Sequence, residues 1–452
     1  MFETVLVAGR GEIAVRIIET CRRLGVKTVA VHSEADRRAL PVRMADESVL
    51  LGAAPASESY LDVRRILEAA AVSSAEAVHP GDGFLAENAE AARAVQAAGK
   101  VWIGPEPDAI EAMADKNLGR ERAAAVGLPV APGQAVTDLA AAIAAGEALG
   151  YPLMLKSAAG GGGIGLTVVT DAAHLRSEFG PAAERAQRFF GRPDLLLERY
   201  LPRVRHIEVQ LLGLGDGRVV SLGERDCSGQ RRYRKIAEEA PAPGLDEAQV
   251  RALSRAARTL GEALDYRGAG TVEFLLDPDT REFVFCEMNT RLQAEHPVTE
   301  LVTGIDLVEQ QLRIAAGEPP SFDPDEIGRH GHAIEVRVYA EDPQEFAPGA
   351  GRIRRWQMPS GDGVRVDAGY AKGDTVSRFY DPLMVKIAAW AEDRAGAVQR
   401  LHNALAECSI DGPPSNLSFL QELTQDPQFV AGTYDTGIVT RLRPAGRTNP
   451  NG

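Results

Sequence analysis

Several residue types are scarce in this chain of 452 residues, and each shortage narrows what it can be. There are four cysteines, Cys21, Cys227, Cys286 and Cys408, and no C-x-x-C spacing. That excludes a disulfide framework and a cysteine-based zinc site, and it fits free thiols in a reducing compartment. No run of about 18 apolar residues occurs, so no spanning helix is expected. The opening MFETVLVAGRGE has no basic segment leading into a long apolar one, so it does not read as a signal peptide. The expected location is the cytoplasm. Positive charge is in deficit as well. A net charge of −14 argues against nucleic acid and anionic membranes as partners, though not against a local basic pocket for phosphates. Lysine is the scarcest cation, with seven residues among the 50 lysines and arginines. A chain this biased toward arginine keeps lysine where a compact point charge matters, which directs attention to Lys116, Lys156 and Lys235.

The remaining composition, 44% hydrophobic and 25% charged, is that of a globular enzyme. The length predicts two or three domains. Residues 1–112 alternate strand and helix and predict a small open α/β domain. Its first segment, VLVAGRGEIAVRI, carries Gly9-x-Gly11-x-x-Ala14 between an apolar run and an amphipathic one. That is the outline of a dinucleotide turn, with Glu34 as the candidate acid after the second strand. The same glycines also serve a plain tight turn, so the segment alone decides nothing.

Residues 113–330 predict a second domain, residues 331–446 a third, and 447–452 a loose tail. After a helix at 394–407 the chain reads as mostly irregular. In the second domain LKSAAGGGGIGL places glycines between two apolar strands. Lys156 precedes the glycines and a strand follows them, so this is no Walker loop. It predicts a hairpin tip whose bare N–H groups at Gly161, Gly162 and Gly163 cover a polyphosphate.

The segment CEMNTRLQAEH is the most informative. Glu287, Asn289, Arg291, Gln293 and Glu295 alternate, so an extended chain would turn all five to one side. The stretch GAGTVEFLLDPDTREFVFCEMN predicts a hairpin turning at DPDT, with Glu273 roughly opposite Glu287. Two carboxylates on neighbouring strands suit Mg²⁺, and Asn289 adds a neutral oxygen. Two such ions, with Mn²⁺ as a substitute, would neutralise ATP phosphates during phosphoryl transfer.

With these motifs in hand, the chain resembles the biotin carboxylases, a family of ATP-grasp ligases. The resemblance runs to about residue 440. It is carried jointly by GRGEIAVRI, HPGDGFLAEN, LKSAAGGGGIGL, RHIEVQ, ERDCSGQRR, EEAPAPG, RGAGTVEF, EMNTRLQAEHPVTE and RVYAEDP. It implies a multidomain α/β and α+β fold: a Rossmann-like N-terminal domain that binds no dinucleotide, a central ATP-grasp domain with a mobile lid at about 130–203, and a C-terminal domain. It also implies roles. Lys116, Lys156, Glu198, His206 and Gln230 would meet ATP. Glu273, Glu287 and Asn289 would hold Mg²⁺. Lys235, Arg291, Gln293, the backbone at Ala294, and Glu295 would hold bicarbonate. Arg337 and Asp82 would line the biotin pocket.

The implied chemistry is bicarbonate attack on the γ-phosphate with Glu295 as base. Carboxyphosphate then breaks down, and biotin is carboxylated beside Arg337. No Met-Lys-Met segment is present and no lysine follows Lys386, so biotin is expected on a separate carrier. A carboxyltransferase subunit and a homodimer are the other partners the resemblance implies.

The chain departs from the family pattern at Gly9 (usually Asn), Asp82 (Tyr), Ile164 (a basic residue), Tyr233 (His), Arg234 (Gln) and Ala294 (Val). These departures leave other readings open: an ATP-grasp carboxylase with a non-biotin acceptor, a degenerate ATP-binding subunit, and a nicotinamide oxidoreductase resting on residues 9–14 alone. The final carboxyl acceptor is not legible in the sequence.

Overall fold

The computed structural model describes residues 1–158 and 165–444. Gly161, Gly162, Gly163 and Ile164 of the glycine loop, and the tail at 447–452, lie outside the described residues.

The N-terminal part is a five-stranded parallel sheet. Its strand order is Glu47–Gly52, Lys27–Ser33, Thr4–Val7, Ala77–His79, Val101–Trp102. The strands are near-continuous apolar runs because helices cover both faces. The helix Gly11–Arg23 turns Ile13, Ile17, Ile18 and Cys21 into the core. Its N-terminus is where a pyrophosphate would sit in a dinucleotide fold. Here the chain itself fills that place. A Cβ on Gly369 would fall 2.6 Å from the Glu12 nitrogen, so the backbone at 369 lies directly against the first helical turn. A Cβ on Gly9 would meet the Gly81 Cα at 3.6 Å. Glu34 stands exposed on a short 3₁₀ helix, Glu34–Asp36. The glycines serve close backbone packing at the place where a pyrophosphate would otherwise sit.

The central sheet has eight strands: Phe283–Asn289, Gly268–Leu276, Arg205–Gly213, Val219–Arg231, Arg234–Ala240, His332–Tyr339, Leu383–Ala391 and Val364–Ala368. The sheet runs straight through residue 330, because Arg234–Ala240 pairs with His332–Tyr339. The expected division at that residue therefore does not divide the hydrogen-bonded sheet. The helix Glu247–Ala263 covers one face through Leu253, Ala257 and Leu260.

The described residues between 133 and 199 form a separate small body. Its four antiparallel strands are Gly133–Val136, Leu195–Arg199, Leu153–Ser157 and Thr167–Val169. The helices Leu139–Leu149 and Ala172–Phe190 pack on them, and Val136, Leu155, Leu175 and Leu197 make a core of their own.

The region after 407 is not irregular. It holds the strand Ser409–Asp411 and the short helices Leu417–Leu423, Pro427–Ala431 and Ile438–Leu442. These helices are too short to display a 3.6-residue period, and burial of Phe419, Leu420, Phe429 and Ile438 holds them in place. Among the described residues no helix is long and apolar enough to cross a membrane.

Candidate active site

The hairpin register brings Glu273 directly opposite Glu287, and Thr271 opposite Asn289. Asp277 makes the turn by accepting from the Asp279 and Thr280 nitrogens. The strand then ends at Asn289, so alternation accounts only for Glu287 and Asn289. Arg291 and Gln293 lie in a loop, and Glu295 caps the helix His296–Thr303. The five polar residues still converge, but the loop brings the last three round and an extended strand does not.

The strand Arg205–Gly213 supplies His206, Glu208 and Gln210 at alternate positions, all buried. Glu208 lies opposite Glu273. These residues meet Lys235, which comes from the neighbouring strand pair. The Lys235 ammonium donates to Glu208 Oε2 at 2.5 Å, Glu295 Oε1 at 2.6 Å and Glu273 Oε1 at 2.7 Å. Burial opposes the ammonium charge, but the three carboxylates outweigh it and raise its pKa well above the ordinary lysine value. Burial likewise opposes the charge of Glu295. Lys235, Arg337 and Arg225 overcome that and hold Glu295 well below the usual carboxylate range.

Glu273 is the most heavily used carboxylate. It also accepts from Asn289 Nδ2 at 2.8 Å and Gln293 Nε2 at 3.1 Å, and His206 Nε2 lies 2.8 Å away. Gln230 lies 2.8 Å from His206 Nδ1. Lys116 lies 3.1 Å from Glu287. Lys156 pairs with Glu198 across adjacent strands of the small body. Arg291 is anchored by Glu87 at 3.0 Å. Arg337 donates to Glu295 Oε2 at 2.9 Å.

A single cavity of about 820 Å³ is lined by Asp82, Lys116, Lys156, Glu198, His206, Gln230, Lys235, Glu273, Glu287, Asn289, Arg291, Gln293, Ala294, Glu295 and Arg337. The described site residues named from the sequence are thus brought together. The small body and the central sheet supply opposite sides of this cavity. Opposed carboxylates with an amide oxygen form a hard-oxygen set that suits Mg²⁺. Ammonium groups already sit at that set: Lys235 on Glu273 and Lys116 on Glu287.

Four residues that matter here escaped the sequence reading. Glu208 shares Lys235, and the alternation in RHIEVQ was the signal for it. Arg225 is fully buried and donates to Glu208, Gln210, Thr299, Thr271 and Gln293. Lys386 is also buried and holds the Ala294 carbonyl. Glu238 lies 2.7 Å from Arg337 Nε. No local pattern marks the last three, because their partners are distant in the chain.

A cavity ringed by lysines, opposed carboxylates and guanidinium groups suits a nucleotide polyphosphate with its divalent cation, as in the ATP-dependent ligases. Three family profiles cover the chain: "Biotin carboxylase, N-terminal domain" over 1–110, "Carbamoyl-phosphate synthase L chain, ATP binding domain" over 115–321, and "Biotin carboxylase C-terminal domain" over 335–441. The chain belongs to the biotin carboxylase family. It is 48% identical over 442 residues to the biotin carboxylase of Halalkalibacterium halodurans, covering 97% of this chain and 98% of that one. It is 45% identical to biotin carboxylase 2 of Bacillus subtilis, covering 97% and 99%. The Campylobacter jejuni biotin carboxylase–β,γ-ATP complex superposes with a TM-score of 0.95 at 39% identity, covering 98% and 99%. The biotin carboxylase domain dimer of Hydrogenobacter thermophilus 2-oxoglutarate carboxylase, solved with MgADP, ADP and bicarbonate, gives 0.95 at 41% identity, covering 98% of each chain.

Proposed function

We propose that this chain uses ATP to activate bicarbonate and carboxylates biotin borne on a carrier protein or domain, as the first half-reaction of an acyl-CoA-type carboxylase in the cytoplasm. The observation that carries the reading is the convergence of Glu208, Glu273 and Glu295 on Lys235, with Arg291, Gln293 and Arg337 on the same cavity.

Lys116, Lys156 and the glycine loop bind the nucleotide phosphates, and Glu198, His206 and Gln230 position the rest of it. Glu273, Glu287 and Asn289 would hold Mg²⁺, which would supply charge neutralisation to the phosphates. Arg291, Gln293 and the Ala294 backbone orient bicarbonate, with Lys386 fixing the Ala294 peptide from below. Glu295 accepts the bicarbonate proton as the oxygen attacks the γ-phosphate. Its basicity is low while Lys235 holds it. It rises when Lys235 turns to the transferred phosphate, so deprotonation waits for the substrates. The small body at 133–199 closes over the nucleotide and keeps water from carboxyphosphate. Arg337 stabilises the negative charge that develops on the biotin ureido oxygen. A carboxyltransferase subunit completes the pathway, and two copies of this chain associate.

Phosphate release measured with bicarbonate, with and without free biotin, tests the reading. Bicarbonate-dependent release that rises with biotin is expected; no response to millimolar biotin or to any biotinylated carrier would end it.

Asp82 favours a second reading, a different acceptor. It lines the cavity where the family usually has Tyr. Burial raises its pKa, and Arg291, Lys386 and Arg337 oppose that rise. If biotin is the acceptor, Asp82→Tyr restores an apolar ring and raises kcat/KM for free biotin by about 10-fold. A fall instead, in steady-state assays, would shift support to a cationic or amide acceptor.

A further inference from the structure

Beneath the acceptor end of the cavity lies a carboxylate that the roles above leave unused. Glu238 is completely buried on the strand Arg234–Ala240, directly opposite Glu335 of His332–Tyr339. Arg337 stands two residues beyond Glu335 on the same face. Its guanidinium is split between two acids. Nη2 donates to Glu295 Oε2 at 2.9 Å, and Nε lies 2.7 Å from Glu238 Oε1, an ion-pair contact without hydrogen-bond alignment. Neither Glu238 oxygen accepts a hydrogen bond from protein among the described residues.

The split matters because Glu295 changes charge during the proposed reaction. Once Glu295 has taken the bicarbonate proton, its hold on Arg337 weakens. A buried guanidinium anchored by that acid alone would then be uncompensated, and free to leave the acceptor. We propose that Glu238 is a positioning residue: it keeps Arg337 in place while Glu295 is protonated, so that the guanidinium meets the acceptor oxygen in the second half of the reaction. The inference rests on the biotin-carboxylation reading above.

The surroundings of Glu238 make this anchor dependent on pH. Its own strand contributes Lys235, and the adjacent strand Val219–Arg231 contributes Arg225 and Cys227. Glu208 and Glu295 add negative charge from the cavity side. His296, on the helix packed above, is kept neutral by burial and by the cations Lys386, Arg16 and Arg365. Glu239 and Asp226 belong to the opposite face, where His332, Arg394 and Arg205 pair with them. Glu335 is held well above the usual range by burial, with Glu238 and Asp367 assisting and Lys386 and Arg337 opposing. Burial pushes Glu238 up to about 7, with Arg337 and Lys235 opposing and Glu295 and Glu208 assisting. Below that value Glu238 is neutral and the anchor is off; above it the anchor is on.

The test compares the full chain with Glu238→Gln in biotin-dependent phosphate release from about pH 6 to about pH 8.5. The ratio of wild-type to variant kcat/KM for biotin should be near 1 at the acid end and about 10 at the alkaline end. A ratio that stays flat with pH overturns the proposal, since a purely structural loss would not track ionisation. Glu238→Asp keeps the charge and should retain the acid limb; its disappearance would also count against the idea. An infrared difference spectrum across the same pH range reads the ionisation without turnover. It must show a protonated-carboxyl band that Glu238→Gln lacks, and absence of that band sinks the proposal. A wild-type chain with this band but no response to biotin would instead overturn the function.

Discussion

Replacing Glu295 by glutamine is expected to lower bicarbonate-dependent ATP hydrolysis by about 10³-fold. The change removes the charge and replaces one carboxylate oxygen by an amide NH₂, so the side chain still accepts from one of Lys235 and Arg337 and loses the other bond. Lys235 keeps Glu208 and Glu273, and Arg337 keeps its contact with Glu238. The site therefore stays assembled while the proton acceptor is gone. Phosphate release at saturating ATP and bicarbonate measures the loss, and a binding titration with ATP checks that the nucleotide end is intact. Turnover within about tenfold of wild type would mean that Glu295 is not the base.

The second large effect is on stability. Arg225 is fully buried and makes hydrogen bonds to five side chains from two strands, a loop and a helix, including the 2.5 Å contact to Glu208. Arg225→Met leaves Glu208, Gln210 and Gln293 with unmet polar atoms in a dry interior. The expected cost is about 3–5 kcal/mol, read from the urea midpoint of unfolding. The loss comes less from the missing attraction than from the stranded partners. Adding Glu208→Leu to Arg225→Met should therefore recover part of the stability, because the Glu208 Oε1 stranded by the loss of the guanidinium is removed while Lys235 keeps Glu273 and Glu295. If the double variant is no more stable than Arg225→Met alone, this account of Arg225 is wrong.

The two substitutions probe different layers of one arrangement. Glu295 faces the cavity, whereas Arg225 lies behind it and fixes the angle of Glu208 and Gln293. Activity in Arg225→Met should fall too, since Gln293 loses one of its two anchors.

Much of this was legible along the chain because the relevant physics is local. Alternation in FVFCEMN and TVEFLL, with a DPDT turn between them, predicted the hairpin and put Glu273 roughly opposite Glu287; the turn register alone would pair Glu273 with Cys286, and a bulge at that point brings Glu287 across instead. The same alternation marks His206, Glu208 and Gln210, and Glu208 was passed over only because no second acid stood nearby in sequence. Local reasoning misled at 290–295. There the strand ends, and the side chains are aimed by distant partners: Arg291 by Glu87, Gln293 by Arg225 and Glu273, and Glu295 by Lys235 and Arg337. It also gave too little structure to 408–442, where packing and not periodicity makes the helices.

The sequence by itself determined the alternating strands, the hairpin that carries Glu273 and Glu287 on adjacent strands, and the lysines kept in an arginine-rich chain. Each follows from the two-residue period of a strand or from a residue's own chemistry. Only the tertiary structure decided that Gly9 packs against a loop instead of a dinucleotide, that Lys235 is shared by three acids, and that Arg337 is divided between Glu295 and Glu238. Those outcomes depend on strands from separate regions meeting in one sheet. Burial there makes a charge's partners, and not its neighbours in the chain, set its behaviour.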